Sequence, residues 1–213
     1  MYEEIKTAMA DVMSYLEERW LNYGRSGNVS VYVRETGHVL MTPSGLHKAK
    51  LRPEDIIVMT LDGKVIEGTL PPTVEYPLHT SIYKVYDYIN AVIHAHTIYA
   101  TALAAVREPL PPVIEEIVIY VGGEVRVADY AHFGSKELAE NVVKALEGRK
   151  AALLANHGVV ACGKNLEEAL EILVLVERAA QVYILSKLIG KPYLIPEESL
   201  KLQMELFKSR LRK

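Results

Sequence analysis

The stretch Ala91-Val92-Ile93-His94-Ala95-His96-Thr97 decides how the rest of this chain is read. Apolar residues lead into two histidines separated by one alanine. In a β-strand successive side chains alternate faces, so His94 and His96 would project together, roughly 6.5 Å apart along the strand. Two imidazoles side by side can occupy two positions of a tetrahedral metal site. They can equally be partly buried rings bonded to backbone or carboxylates, although each unpaired polar group buried in so apolar a strand costs roughly 1–3 kcal/mol. A metal site needs a third ligand. His157 is the candidate, because Asn156-His157-Gly158 sits where the apolar run Leu153-Leu154-Ala155 meets a turn. Three neutral nitrogens with an open fourth position form the pattern of a catalytic zinc site.

Outward from that stretch the chain alternates strand and helix patterns. Residues 3–23 read as a helix, with Ile5, Met9, Val12, Met13, Leu16 and Trp20 at three- and four-residue steps and Gly24 as the stop. Val29–Val33 and Val39–Thr42 form strands around Glu35-Thr36-Gly37, and Ile56–Thr60 and Lys64–Glu67 form strands around Asp62-Gly63. A helix from about Val74 to Val85 would turn Leu78, Ile82 and Val85 inward, with Pro77 tolerated in its first turn. An alanine-rich helix, Tyr99 to about Val106, follows the histidine strand. Ile117–Val121 and Val125–Val127 read as strands parted by Gly122-Gly123. Ser135 caps a helix through Leu146, Ala151–Leu154 and Val159–Cys162 are buried strands, and helices run over Leu166–Ile189 and Glu198–Leu211. The hairpins make the sheet mostly antiparallel, and helices on both sides make the expected fold class α/β, a three-layer αβα arrangement.

Composition narrows the function. The 213 residues, half of them apolar, suit a single domain spanning 1–213. A net charge of -3 argues against a nucleic-acid binder. No apolar run approaches the roughly 20 residues of a membrane span, so no membrane association is expected. The acidic, amphipathic start Tyr2-Glu3-Glu4-Ile5-Lys6 lacks a signal-peptide core, and the lone Cys162 forms no internal disulfide. A soluble, cytoplasmic protein is expected.

Other residues supply chemistry of their own. Glu75 and His79, four apart, share a helix face. Glu75 is either an acidic residue favoured by the helix dipole or a general base beside a metal. Gly27-Asn28, Ser44-Gly45 and Thr73 are ordinary turns taken singly; converging, they would bind a phosphate without help from lysine. No GxxxxGK[ST] and no GxGxxG after a strand supports nucleotide binding. No Ser-His-Asp arrangement is legible, and no lysine sits in an apolar strand where desolvation would activate it.

Taken in order, Gly27-Asn28-Val29-Ser30, Thr42-Pro43-Ser44-Gly45, Glu75 to His79, His94-Ala95-His96, Phe133-Gly134-Ser135 and Asn156-His157-Gly158 resemble the class II aldolase family that includes L-fuculose-1-phosphate aldolase and L-ribulose-5-phosphate 4-epimerase. The resemblance implies one Zn2+ per subunit held by His94, His96 and His157, with Glu75 as the acid/base. It also implies a phosphate pocket at Asn28, Ser44, Gly45 and Thr73, and a homotetramer with active sites between subunits. The implied reaction joins dihydroxyacetone phosphate to an aldehyde such as lactaldehyde, or cleaves the product, a phosphorylated sugar. A 4-epimerase or a methylthioribulose-1-phosphate dehydratase would use the same zinc, and a binding subunit that has lost catalysis would keep only the fold. Two positions depart from the fuculose-phosphate aldolase pattern. Val74 stands where a second phosphate-binding serine is frequent, and Glu116 where a tyrosine precedes the Gly-Gly pair. Glu115 and Glu116 are either a second catalytic carboxylate or a solvated pair before a strand.

Overall fold

A computed structural model describes residues 2–211, so Met1, Arg212 and Lys213 of the expected 1–213 domain lie outside the described residues. In chain order the elements are α1 (Glu3–Glu18), β1 (Asn28–Val33), β2 (His38–Met41), β3 (Ile57–Thr60), β4 (Val65–Glu67), α2 (Tyr76–Val85), β5 (Ala91–Ala95), α3 (Ile98–Ala105), β6 (Val127–Ala128), α4 (Lys136–Ala145), β7 (Ala151–Leu154), β8 (Gly158–Gly163), α5 (Leu166–Ile189) and α6 (Glu197–Leu211). The strands form one eight-stranded sheet in the order β4-β3-β2-β1-β5-β8-β7-β6. Every neighbouring pair is antiparallel except β6 with β7. The α/β expectation of a mostly antiparallel sheet between helical layers therefore holds.

Strand alternation sorts the core into two layers. Val29, Ile93, Leu153, Val159 and Ala161 pack with α1, α3 and α5 through residues such as Met13, Leu103 and Val176. Val92, Ala152, Val160 and Cys162 pack on the other face with Leu78, Ile82 and Tyr83 of α2 and Leu138 and Val142 of α4. The phase carried by Val92 also carries His94, so His94 belongs to the α2 side of the sheet. On β1, with Val29 in the opposite layer, Asn28 and Ser30 take that same side, and the register sets Asn28 opposite His94 and Ser30 opposite Val92. Two strands thus deliver polar side chains to one end of the α2 layer.

Several local expectations change. The segment Ile117–Val121 is a π-helical turn and not a strand: the Gly122 N–H reaches the Ile117 carbonyl at 3.2 Å. Its buried residues, Ile117, Val118 and Val121, fall at helical spacing, and Phe207 of α6 packs over Gly122. Only Val127 of the neighbouring strand expectation joins the sheet, while Val125 bridges Leu110. The first helix stops at Glu18, and Trp20, at φ +58°, points out with 77% exposure. Val85, at the end of α2, is 58% exposed and so does not face the core. No helix among the described residues is long and apolar enough to cross a membrane.

Candidate active site

β5 leaves the ladder after Ala95, so His96 lies just beyond the strand and the two rings converge instead of running parallel. Their Nε2 atoms stand 3.0 Å apart. His157 enters from the β7–β8 turn, where Asn156 takes a left-handed φ of +57°. The three rings meet with centroids 4.7–5.1 Å apart, and one nitrogen from each lies within 4.8 Å of the others. Gly158 makes the approach possible: a Cβ there would stand 2.5 Å from the Ala95 carbonyl oxygen and 3.0 Å from His96 Cδ2.

The protonation pattern suits a cation. His94 Nδ1–H donates to the Val159 carbonyl at 3.0 Å, which leaves the lone pair on Nε2, facing His96 Nε2. Burial pushes His96 down to about 3 and His157 down to about 4, and the neighbouring His94 adds to both shifts. Neutral rings at His96 and His157 each keep one nitrogen free to bind a cation, and the three histidines offer one ligand atom apiece at one place. Glu75, buried ahead of α2, aims at the same point: its Oε2 is 3.4 Å from His94 Nε2 and its Oε1 3.5 Å from His157 Nε2. Oε1 is buried without a hydrogen-bond partner. A divalent cation among these donors would satisfy the converging lone pairs and the orphaned oxygen at once, so the residues fit a metal.

Behind Glu75 runs a chain of buried hydrogen bonds. Asn28 Nδ2 donates to Glu75 Oε2 at 2.8 Å, and His79 Nε2–H donates to Asn28 Oδ1. Ser30 Oγ–H donates to His79 Nδ1 at 2.7 Å and accepts from the Tyr83 hydroxyl at 2.6 Å. Burial drives His79 down to about 3, which keeps Nδ1 free to accept. The His79 proton orients the Asn28 amide, and the amide holds the carboxylate. Burial works to raise the Glu75 carboxyl, but His94, His157 and the Asn28 donor outweigh it and hold it below the ordinary carboxylate range.

In front of these groups opens a cavity of about 380 Å³. It brings together the residues expected from sequence: Asn28, Ser44, Gly45, Thr73, Glu75, His96 and His157. Gly27 is required beside them, since at φ +69° a Cβ would meet Asn22 Nδ2 at 2.6 Å and the His94 carbonyl oxygen at 2.8 Å. The Ser44 N–H is committed to the Pro71 carbonyl, so Ser44 offers the cavity its hydroxyl. Val74 and Phe133, both more than half exposed, add apolar surface at the edge. Lys48 also lines the cavity and was not anticipated. It follows a Pro-Ser-Gly turn, where a lysine ordinarily reads as solvated, and its only signal was proximity to Ser44-Gly45. Glu116 is not brought to this site within its own chain. It lines a separate cavity of about 590 Å³ with Tyr120, Lys164, Glu168 and Arg210.

The sequence and the sheet match a known family. Residues 7–184 match the class II aldolase and adducin N-terminal domain, and the chain belongs to that family. It is an enzyme of the class II aldolase type, a lyase. It is 39% identical over 180 residues to the 5-deoxy-D-ribulose 1-phosphate aldolase of Bacillus thuringiensis serovar kurstaki, covering 84% of each chain. Over 205 residues it is 34% identical to the 5-methylthioribulose-1-phosphate/5-deoxyribulose-1-phosphate aldolase of Rhodospirillum rubrum, covering 96% of this chain and 91% of the relative. The solved structure of an L-fuculose 1-phosphate aldolase superposes with a TM-score of 0.92 at 44% identity, covering 96% of each chain.

Proposed function

We propose that this chain, as a single domain over 1–213, is a zinc-dependent sugar-phosphate aldolase that reversibly cleaves a ketose 1-phosphate to dihydroxyacetone phosphate and an aldehyde. The reading rests on one observation above all: Glu75, with its buried, unpartnered Oε1 3.5 Å from His157 Nε2 and its Oε2 3.4 Å from His94 Nε2, stands beside three converging histidines and lines a cavity with Ser44 and Thr73. His94, His96 and His157 are the proposed ligands of one zinc per subunit. Bound there, zinc supplies Lewis-acid polarisation of the substrate's C2 carbonyl.

The chain's own groups do the rest. The Ser44 and Thr73 hydroxyls, the Gly45 backbone and Asn28 line the end of the cavity that takes the phosphate. In cleavage the C3–C4 bond breaks, its electron pair passes to C3 and into the C2 carbonyl, and the C4 hydroxyl becomes the aldehyde as it loses its proton. Glu75 delivers a proton to C3, and in the condensing direction removes it. Asn28, fixed by His79, keeps the carboxylate aimed at that carbon. The C4 hydroxyl proton needs a second base. Glu116 is the proposed group, and because it lies away from this cavity it would act from a neighbouring copy in a tetramer whose sites lie between subunits. Large apolar side chains left exposed, Leu188, Ile189 and Tyr193 among them, agree with such packing.

Lactaldehyde, from fuculose 1-phosphate, is the aldehyde we favour, in a cytoplasmic setting. The relatives' names widen the choice to 5-deoxyribulose 1-phosphate. Both sugars end in a methyl group, which suits the apolar edge at Val74 and Phe133. Product analysis on fuculose, ribulose, 5-deoxyribulose and methylthioribulose 1-phosphates, with ribulose 5-phosphate as control, tests the reading. Release of dihydroxyacetone phosphate supports it. Inversion at C4 or loss of water without cleavage would refute it in favour of an epimerase or a dehydratase.

A further inference from the structure

Three lysines are almost wholly buried, and two of them have an obvious counter-charge. Lys6 pairs with Glu67 at 2.5 Å and Lys150 with Glu168 at 2.6 Å. Lys48, 3% exposed, forms no ion pair among the described residues, and its ammonium donates to the Pro43 carbonyl alone. A buried cation without a carboxylate is costly, and the cost falls if an anion binds against it. The position of Lys48 says where that anion would be. Its backbone N–H is tied to the Gly24 carbonyl at 2.7 Å, and its side chain folds back on the turn that presents Ser44 and Gly45. It therefore sits between the two loops that bound the cavity, and it lines that cavity with Asn28 and Thr73. The other cation on the lining, Arg25, is exposed. Burial lowers Lys48 to about 8, against the attraction of Glu75, so the ammonium still predominates at neutral pH.

We propose that Lys48 is the specificity-determining cation of this cavity, the group that neutralises the phosphate monoester dianion of the substrate. This rests on the aldolase reading of the site and adds to it a charge that hydroxyls and backbone N–H groups do not provide. It also explains how the chain manages with Val74 in place of a phosphate-binding serine: one charge-assisted hydrogen bond replaces a neutral one.

The test uses the metal-loaded enzyme and inorganic phosphate, measured by calorimetry and as a competitive inhibitor of ketose phosphate cleavage. Lys48→Gln keeps a donor for the Pro43 carbonyl and removes the charge, while Lys48→Arg keeps the charge. The glutamine variant should bind phosphate at least about tenfold more weakly, and the arginine variant within about threefold of wild type. Between about pH 8 and pH 9.5, where inorganic phosphate is mainly the dianion, wild-type affinity should fall as lysine loses its proton, and the arginine variant should hold its affinity. A purely structural lysine would shift the melting temperature and leave that pH profile unchanged. Phosphate affinity unaltered in Lys48→Gln, or the same alkaline fall in Lys48→Arg, would overturn the proposal. Failure to cleave any ketose phosphate would overturn the aldolase reading instead, and the phosphate measurement would stand apart from it.

Discussion

Replacing Glu75 by glutamine isolates proton transfer from the architecture around it. The side chain keeps its length, and its amide oxygen can still accept the hydrogen bond that Asn28 Nδ2 makes to Oε2 at 2.8 Å. The fold should therefore lose little stability. What disappears is a group able to take and return a proton, 3.4–3.5 Å from ring nitrogens of His94 and His157, two of the proposed metal ligands. A positioned general acid/base contributes about 10²–10⁴-fold, so kcat should fall by that factor, equivalent to about 3–5 kcal/mol in the barrier. The assay is dihydroxyacetone phosphate release at saturating ketose phosphate, followed through a coupled NADH oxidation. A second readout is exchange of the dihydroxyacetone phosphate C3 proton with deuterated water in the absence of aldehyde, which should stop in the variant. Zinc content should match wild type. If kcat stays within about threefold and exchange persists, Glu75 is not the base, and Glu116 is next in line.

Three further outcomes follow from the packing behind and beside the site. His79→Leu leaves Asn28 Oδ1 and Ser30 Oγ without their partner, which should cost about 1–3 kcal/mol for each group; with the Glu75 carboxylate loosened, turnover should drop about 10–100-fold while the metal stays bound. Loss of metal in that variant would contradict the assigned role. Because His79 sits near 3 when folded and near 6.5 when unfolded, its neutral ring gives full stability above about pH 6.5. As pH falls from 6.5 toward 3 the unfolded chain takes up a proton that the folded chain refuses, so stability should decline by about 1.4 kcal/mol per pH unit from this group. Urea unfolding at a series of pH values should show the decline, and a slope identical in His79→Leu would contradict it. Gly158→Ala sets a methyl 2.5 Å from the Ala95 carbonyl oxygen and against the His94 and His96 rings, two of the three proposed ligands, and should cost about 1–3 kcal/mol and weaken metal binding. Unchanged metal affinity there would show that the hairpin gives way without disturbing the histidines.

Much of this was legible in the chain because the chemistry lies on short, regular elements. Period-two alternation placed His94 on one face of β5, and the Asn-His-Gly turn marked His157 as a residue at a strand end. The convergence itself was not legible. That Asn28 lies opposite His94 depends on the register of β1 with β5, a pairing across more than sixty positions. Lys48 escaped notice for the same reason: nothing beside it in sequence says that the Gly24 loop will close over it. The run Ile117–Val121 misled in the opposite sense. Its β-branched residues favour a strand locally, yet the core takes them at helical spacing and α6 covers the turn. Trp20 fits the helical period of α1, but the helix ends two residues earlier.

The central claim is that His94, His96 and His157 hold a metal ion on which cleavage depends. Metal analysis of dialysed wild type and His96→Ala, set beside cleavage before and after chelation, tests it directly. Wild type should carry about one zinc per chain, lose activity to the chelator and regain it with zinc, and the variant should lose both zinc and activity. Full metal binding by His96→Ala, or cleavage that ignores the chelator while borohydride traps a lysine adduct with substrate, would contradict it.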